Sequence, residues 1–446
     1  MIKHMLFDDY FISRYLRTIS GRWISCSLVL ILVITGLPVH ANDNLKDALV
    51  NGKFGLNFRY RFEHVDDDFR PGGVPLKDAN ASTLRTTISY NSGAYHGFST
   101  LLELEQVSRI FGGDFNEGVG LPSRYATVVD PDGTELNQGY LQYVAPAANT
   151  LRVGRQIITY RDAPFHRFIG TILWRQNWQT FDAVSVSNTY LPDTTISYAY
   201  VWNVNRIFGT SAVEPLSNFD SDSHFINIQF KRFQWAQLEA YSYLLDFDKA
   251  PRFSSRTLGI RMHGEYPLND LLHPIYTLEY ADQADYANNA TNYDASYQLL
   301  EAGFKLKPPQ LLDSLMLKFS YERLSGDGTM NSAFVTILGT NHAFQGTADR
   351  FLVTPNDGIR DYYLSSVMTA YGFKFNISYH MLQSDSLDYD YGDELDMELS
   401  RKVLDNLTLG LKYADYDADT NPVNVLRNGA VAADVQKIWF YTLLSF

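Results

Sequence analysis

Cysteine is almost missing from this chain of 446 residues, which contains one, Cys26. A small scaffold held together by disulfide bonds is therefore excluded. Long apolar runs are scarce too: beyond the N-terminal region, no segment has the roughly 18 consecutive apolar residues that a membrane-spanning helix needs. The composition, with 45% hydrophobic, 14% aromatic and 20% charged residues, also excludes an intrinsically disordered chain.

Basic residues are outnumbered, with 37 Lys and Arg against 50 Asp and Glu and a formal net charge of −13. This balance argues against a nucleic acid as a partner. The sequence also lacks Gly-x-Ser-x-Gly and His-Glu-x-x-His, the motifs that would indicate a serine hydrolase or a zinc protease. We therefore predict no catalytic residue, no cofactor and no metal, and we expect that the protein is not an enzyme.

The first 41 residues have the composition of a secretory signal peptide. Lys3, Arg14, Arg17 and Arg22 precede an apolar core from Leu28 to Leu37, which ends in Val39-His40-Ala41. We predict cleavage after Ala41. A retained membrane anchor is the alternative, but the core is shorter than the roughly 20 residues that a span requires. Residues 42–446 contain no cysteine, which fits export through an oxidising compartment.

Apolar and polar residues alternate along most of the remaining chain. In the clearest example, Phe54, Leu56, Phe58, Tyr60 and Phe62 alternate with Gly55, Asn57, Arg59, Arg61 and Glu63. This period of two predicts a strand with one apolar and one polar face. Similar segments recur as far as the C-terminus and predict about eighteen strands of about ten residues, the length that a tilted strand needs to cross a bilayer.

The predicted strands are separated by short and long connections in alternation. The long connections are residues 65–80, 108–133, 161–179, 205–221, 281–292, 324–357 and 415–433. Soluble sandwiches have no reason to follow this pattern, whereas outer-membrane barrels have tight periplasmic turns and large outer loops. We therefore predict an all-β fold, a single transmembrane up-and-down antiparallel β-barrel of about eighteen strands in residues 42–446, located in the Gram-negative cell outer membrane.

The last predicted strand supports this location. Its apolar face consists of Ile438, Phe440, Thr442, Leu444 and Phe446. A final phenylalanine resembles the C-terminal signal that the barrel-assembly machinery reads in bacterial outer-membrane proteins. The expected partners are this machinery, through Phe446, together with outer-membrane lipid and lipopolysaccharide.

Charged residues on the polar faces are expected to line the lumen, because a lipid-facing Arg or Lys at the midplane costs about 2 to 4 kcal/mol. The bases are Arg59, Arg61, Arg85, Arg152, Lys231, Arg261, Lys318, Lys374, Lys412 and Lys437, and the acids are Glu63, Glu103, Glu105, Glu239, Glu279, Glu301, Glu322, Asp361, Glu394, Asp396 and Glu398. The two sets nearly balance, and about half of these charges could simply pair across strands. Arg59, Arg61, Arg85, Lys412 and Lys437 meet where the barrel closes and predict one basic wall.

Several motifs carry a resemblance to a known family. They are Val153-Gly154-Arg155-Gln156, Arg167-Phe168-Ile169-Gly170, Trp174-Arg175-Gln176-Asn177, Thr180-Phe181-Asp182-Ala183, the run from Thr340 to Gly346, Ala348-Asp349-Arg350-Phe351 and the run from Gly392 to Asp396. Together they resemble the alginate export family of bacterial outer-membrane β-barrel porins. The resemblance covers nearly all of residues 42–446.

The resemblance implies a barrel of about eighteen strands whose arginines hold the carboxylates of a uronate polymer. Arg155, Arg167 and Arg175 are then the candidate solute contacts, with Asp182 and Asp349 as the salt-bridge partners that fix them. A forked guanidinium suits a carboxylate better than an ammonium does. Arg155 has the parity of the apolar face, so either the strand has a bulge just before it or Arg155 lies near a strand end.

The predicted function is an outer-membrane channel of the alginate export type that passes anionic sugars, polysaccharide or small carboxylates by passive diffusion. A barrel of about eighteen strands is too wide for side chains to fill. If the loop that carries Arg167 and Arg175 folds inward, both come opposite or above Arg59, Arg61 and Arg85 and focus a positive field there. Because the lumen charges balance, a general or uptake porin for other small solutes is the alternative, and a barrel protease or lipase is less favoured.

Overall fold

The computed structural model describes residues 44–121, 123–146, 148–307 and 312–446. The predicted signal peptide, residues 1–41, and its cleavage site lie outside the described residues. The described part includes helices α1 (Leu45–Val50) and α2 (Pro422–Arg427) and 3₁₀ turns at Pro71–Gly73, Pro251–Phe253 and Asn341–Ala343. No helix in these ranges is long and apolar enough to cross a membrane.

Eighteen strands form one sheet in the described residues. The first nine are β1 (Lys53–Asp67), β2 (Ala79–Asn91), β3 (Phe98–Arg109), β4 (Gly133–Ala145), β5 (Asn149–Gln156), β6 (Thr180–Asn188), β7 (Thr194–Asn205), β8 (Asn218–Phe233) and β9 (Ala236–Leu245). The other nine are β10 (Ser255–Glu265), β11 (Leu272–Asp285), β12 (Asp294–Leu306), β13 (Ser314–Leu324), β14 (Ile359–Ala370), β15 (Phe373–Gln383), β16 (Asp390–Leu404), β17 (Leu407–Ala418) and β18 (Val435–Ser445).

The sheet closes into a barrel. Each strand pairs antiparallel with the next one along the chain, as β1 does with β2, and β1 also pairs with β18. The closing register places Arg61 opposite Tyr441 and Glu63 opposite Trp439. Because closure pairs the backbone N–H and C=O groups of both end strands, no sheet edge is left in lipid. The predicted fold class is confirmed.

The alternation in the sequence corresponds to the two faces of the wall. In β3, Leu102 and Leu104 are 50% and 54% exposed, whereas Glu105 and Val107 on the other face are 3% and 0% exposed. Apolar side chains therefore point outward to lipid and polar side chains point into the lumen, as a bilayer requires of a barrel.

Short turns and long loops alternate around the barrel. The turn between β14 and β15 consists of residues 371–372, whereas the preceding connection, between β13 and β14, covers residues 325–358. In outer-membrane barrels the short turns are periplasmic and the long loops are extracellular. The start of β1 and the end of β18 both lie at the short-turn end.

Several long loops enter the lumen, and we call two of them loop A (residues 157–179) and loop B (residues 325–358). The ring of Phe168 in loop A lies 5.2 Å from Tyr241 of β9, 5.3 Å from Tyr297 of β12 and 6.0 Å from Phe334 of loop B, measured between centroids. Burial of one such side chain contributes about 1.5 to 3 kcal/mol. This aromatic cluster therefore fixes both loops against the wall.

Candidate solute-binding lumen

Loop A is bound to the first strand through its own oxygen atoms. Arg59 of β1 donates from Nη1 to the Leu173 carbonyl at 2.5 Å, from Nη2 to the Arg175 carbonyl, and from Nε to Gln176 Oε1 at 2.8 Å. All three acceptors are neutral, and no ion pair with a carboxylate forms at Arg59 among the described residues. The positive charge of Arg59 is therefore hydrogen-bonded but not neutralised.

Other bases of the predicted basic wall are neutralised by carboxylates. Arg61 forms ion pairs with Glu63 and with Asp130, and all three side chains are almost completely buried. Arg85 pairs with Glu105 at 2.6 Å. Asp130 lies in the loop before β4, and the sequence analysis missed it because strand parity says nothing about loop carboxylates. Since a buried charge needs a partner, this part of the wall is not a free anion site.

The two candidate arginines of loop A are also buried in ion pairs. Arg167 contacts Glu322 of β13 at 2.9 Å, and its side chain is 1% exposed. Arg175 contacts Glu63 at 3.3 Å and Asp349 of loop B at 2.8 Å. Burial opposes the charged form, but Glu63 and Asp349 raise the pKa of Arg175 above its usual value. The loop does fold inward, but both arginines bind wall and loop carboxylates, which corrects the expectation that they face the solute.

Arg161, at the start of loop A, is an anchor that the sequence analysis missed. It lies 3.0 Å from Glu239 of β9 and 2.5 Å from Glu279 of β11. Burial lowers the pKa of Arg161, but the two carboxylates outweigh burial and raise it above its usual value. Strand parity places both acids in the lumen, yet no sequence pattern indicates which loop base reaches them.

Loop B is bound to the acidic side of the wall through its backbone N–H groups. Glu394 of β16 accepts from the backbone N–H of Ala348 at 2.6 Å, and Asp396 accepts from that of Thr347 at 3.2 Å. Carboxylates form strong hydrogen bonds with N–H donors. The mixed charge of the wall thus has a structural use: its bases bind carbonyl oxygens of loop A and its acids bind N–H groups of loop B.

A buried histidine connects loop B with loop A and the last two strands. His342 Nδ1 lies 2.6 Å from Asp349 Oδ1, and His342 Nε2 lies 2.7 Å from Lys412 Nζ. The ring of Trp174 stacks on His342 at 4.5 Å, and Lys437 contacts Asp349 at 3.0 Å. The Lys412 ammonium can donate to Nε2 only while His342 is neutral. The packed loops therefore require an uncharged His342.

Acidification is expected to loosen this contact. Burial lowers the pKa of His342 to about 3, with Asp349 opposing the shift and Lys412 adding to it. When loop B opens, His342 has the pKa of a free histidine, near 6.5. The packed state therefore binds fewer protons than the open state and loses stability as the pH falls below about 6.5. Between neutral pH and about pH 5 the loss is about 2 kcal/mol. Hydrogen exchange of the backbone amides of residues 341–349, compared at the two pH values, measures this change.

The matched control is His342→Gln, because glutamine can still hydrogen-bond and does not titrate in this range. The protection factors of these amides, which correct for the pH dependence of intrinsic exchange, should change much less between the two pH values in this variant than in the wild type. Equal protection of residues 341–349 at both pH values in the wild type would contradict the role assigned to His342.

The remaining candidate pair, Arg155 and Asp182, lies on the outer face of the barrel. Arg155 Nε is 2.7 Å from Asp182 Oδ1. The register of β5 and β6 places both residues on the same side as the lipid-facing Val153, with no register shift between these strands. At Gly154, φ is +125° and a Cβ atom would lie 2.3 Å from the Gly139 carbonyl oxygen. Arg155 therefore faces outward near a strand end, which corrects its proposed contact with solute.

The predicted lumen bases are more often exposed than the predicted lumen acids. The bases that are partly or fully exposed are Arg59, Arg152, Lys231, Arg261, Lys318 and Lys374, whereas the acids that are partly exposed are Glu103, Glu301 and Glu398. The other predicted lumen acids are buried, mostly in contacts with the inward loops. Two of these bases have fixed ionic partners, because Lys318 pairs with Glu301 and Arg261 lies 3.5 Å from Glu279. Among the predicted lumen charges that are not buried, those without such a partner in the described residues are four bases, Arg59, Arg152, Lys231 and Lys374, and two acids, Glu103 and Glu398. The charges of this set that are free to act on lumen contents are therefore mainly positive.

The alginate export family model matches residues 50–352, which is well over half of the chain. The chain belongs to the alginate export family. Comparison with curated proteins gives no match for this family member.

Several solved outer-membrane porins have a similar fold. The alginate export family protein is 17% identical to OccAB2 of Acinetobacter baumannii, with a TM-score of 0.66 over 90% of this chain and 99% of that one. OccD3 (OpdP) of Pseudomonas aeruginosa is 12% identical, with a TM-score of 0.63 over 92% of this chain and 95% of that one. OpdK of Pseudomonas aeruginosa, solved with vanillate, is 13% identical, with a TM-score of 0.62 over 89% of this chain and 99% of that one. At these identities the similarity shows the fold.

Family and fold together identify this alginate export family protein as an outer-membrane channel for anionic solutes in Gram-negative bacteria. Its outer face fits contact with membrane lipid and lipopolysaccharide. Proteins of this family and fold are typically not enzymes.

Proposed function

We propose that this alginate export family protein is a passive channel that passes small carboxylates and short uronates in preference to cations. The observation that carries the proposal is the excess of bases among the exposed lumen charges. Arg152 donates to the neutral Gln142 Oε1 at 2.8 Å, and Lys231 and Lys374 form no ion pair among the described residues. Because these charges are not neutralised by a fixed partner, they attract a mobile anion.

The inward loops support a short solute rather than a long polymer. Arg59 connects loop A to β1, and Arg161 connects it to β9 and β11, which lie about halfway around the barrel. A loop anchored on both sides of the lumen narrows the path between them. A long polyanion would have to displace this loop, whereas a single sugar acid could pass beside it.

Uptake into liposomes tests the proposal. Galacturonate is expected to enter protein-containing liposomes faster than neutral galactose. Lys231→Gln combined with Lys374→Gln should lower the galacturonate rate about threefold to tenfold, because one charge at contact distance in water contributes about 1 kcal/mol. Galactose entry should stay the same, since neither lysine acts on a neutral sugar through its charge.

Lys249→Gln is the control, because Lys249 is exposed and pairs with Glu214 outside the strands. This variant should take up both sugars at the wild-type rates. Equal rates for galacturonate and galactose in the wild type would overturn the proposal and favour a general porin for other small solutes.

We infer that the channel has no hydrolytic activity. His342 and Asp349 form a His–Asp pair, but His342 Nε2 faces the Lys412 ammonium instead of a hydroxyl group. A nucleophile that could be activated is therefore missing at the position where a catalytic triad needs it. Hydrolysis of lipid or peptide that is lost in His342→Gln would favour a barrel enzyme instead.

We also infer that Phe446 is read during barrel assembly. Its backbone N–H donates to the Leu56 carbonyl at 2.8 Å, and its side chain is 68% exposed. Phe446→Ala is expected to reduce the amount of folded protein in the outer membrane severalfold. The free energy of unfolding in detergent should change by less than about 1 kcal/mol. Heat-modifiable migration in gels measures both, and Phe54→Ala is the exposed aromatic control. Unchanged membrane levels would contradict this inference.

A further inference from the structure

A polar network lies on the lipid-facing side of the barrel at the extracellular ends of β5 to β8. Its members, brought side by side by the strand register, are Arg155, Asp182, Asn203, Asn205 and Asn218. Val204 and Phe219 point into the barrel and are 0% and 1% exposed, so the asparagines next to them point outward. The proposed solute path does not use this network.

The Asp182 carboxylate at the centre of the network is saturated. It accepts from Arg155 Nε at 2.7 Å and Nη2 at 3.1 Å, from Asn205 Nδ2 at 3.0 Å and from Asn203 Nδ2 at 3.2 Å. A carboxylate has about four lone-pair sites. Asp182 therefore has no capacity left for an outside donor or cation.

Most of the hydrogen-bonding groups that remain free in the network are N–H donors. Arg155 uses its third N–H on the Leu136 carbonyl at 3.1 Å and keeps two of the five that a guanidinium carries. Asn205 and Asn218 each donate one amide N–H within the network and keep the other. The Arg155 side chain is 25% exposed. A surface that offers free N–H groups, two of them on a guanidinium, fits an anionic group rich in oxygen.

The network lies where β5 to β8 join the long loops, since β5 ends at Gln156, β7 ends at Asn205 and β8 begins at Asn218. In outer-membrane barrels the long loops are at the extracellular end. Outward-facing side chains at this end of the wall are therefore on the side of the outer leaflet. Asp220, which is exposed on β8 opposite Asn203, repels anions and so favours the Arg155 side of the network.

We propose that this network binds a phosphate of the lipid A headgroup of lipopolysaccharide. Arg155 supplies two N–H groups and Asn205 supplies a further donor, so the phosphate is held by charge-assisted hydrogen bonds and not by a net positive charge. Asp182 and Asn203 hold these donors in place and do not contact the phosphate. The site is separate from the lumen, so it does not depend on the proposed solute selectivity.

Native mass spectrometry of the full barrel in detergent tests this site, with lipid A that carries both phosphates as the probe and lipid A without phosphates as the comparison. The variant is Arg155→Gln with Asp182→Asn, which removes the cation without leaving a lone carboxylate. It should bind phosphorylated lipid A about tenfold more weakly, equivalent to about 1.4 kcal/mol. The control is Arg109→Gln with Glu117→Gln, a half-exposed pair away from the lipid face, which should bind as the wild type does.

Folding of each variant is checked by heat-modifiable migration. If the double variant does not fold, Asn205→Leu removes one free donor together with the hydrogen bonds of Asn205 to Asp182 and Asn203, and it should weaken binding by a smaller factor. Equal affinity of the wild type for both forms of lipid A, or unchanged affinity in folded variants, would overturn the proposal. A dimer that is lost in the variant would also overturn it and identify the surface as a contact between two copies.

Discussion

Replacing Arg167 with methionine is expected to lower the free energy of unfolding by about 3 to 5 kcal/mol, as for other buried ion pairs that lose one partner. The substitution leaves the Glu322 carboxylate without a cation at a site that is 0% exposed. Methionine keeps an apolar stem that can still contact Tyr297 and Phe344, which the guanidinium now faces. The loss therefore reports mainly the uncompensated charge, and urea unfolding of the protein in lipid vesicles measures it.

Two further variants separate charge from packing. Arg109→Met removes one partner of a half-exposed pair and should cost less than about 1 kcal/mol. Arg167→Met combined with Glu322→Leu removes both charges and should recover much of the lost stability. Equal effects of Arg167→Met and Arg109→Met would show that the Arg167 pair does not anchor loop A.

Charge reversal at three exposed lumen bases is expected to change the ion selectivity from anions to cations. The variant carries Arg152→Glu, Lys231→Glu and Lys374→Glu. The exposed lumen set then contains three bases and six acids instead of six bases and three acids. Since pore selectivity follows the sign of the charges that face the permeating ion, the reversal potential in a salt gradient should change sign.

The same change in net charge outside the lumen is the control. Lys77→Glu, Arg124→Glu and Lys249→Glu place three acids on exposed extracellular segments. Distant exposed charges are screened by salt, so this variant should keep the wild-type sign. If both variants changed the sign, the net charge of the protein would govern the channel, and the exposed lumen bases would not.

The barrel could be predicted from the sequence because a bilayer imposes a local pattern. Each residue of a spanning strand meets either lipid or the lumen, so Leu102 and Glu105 already differ in the sequence as they do in the structure. Alternating loop lengths then separated a barrel from a sandwich. Both signals depend on neighbouring residues, and no long-range contact is needed to recognise them.

The contacts of the candidate site could not be predicted, because loop side chains choose partners that are far away in the sequence. Arg167 reaches Glu322, and Arg61 reaches Asp130, and no local pattern links these residues. Parity did place Arg155 on the lipid side, and the structure agrees with parity there, not with the solute contact that the family resemblance implied. The inward loops cover many of the lumen charges, so the set that remains exposed is known only from the structure.

The reversal potential of the wild-type channel is the most direct test of the central claim, which is that exposed bases outweigh exposed acids in the lumen. It is measured in a planar bilayer across a roughly tenfold gradient of potassium chloride, for which a perfectly selective channel gives about 59 mV. We expect a reversal potential with the sign of the chloride equilibrium potential, and its magnitude should fall toward zero as the salt concentration is raised on both sides. A potential on the potassium side of zero would contradict it and would show that Glu103, Glu301 and Glu398 control the pore.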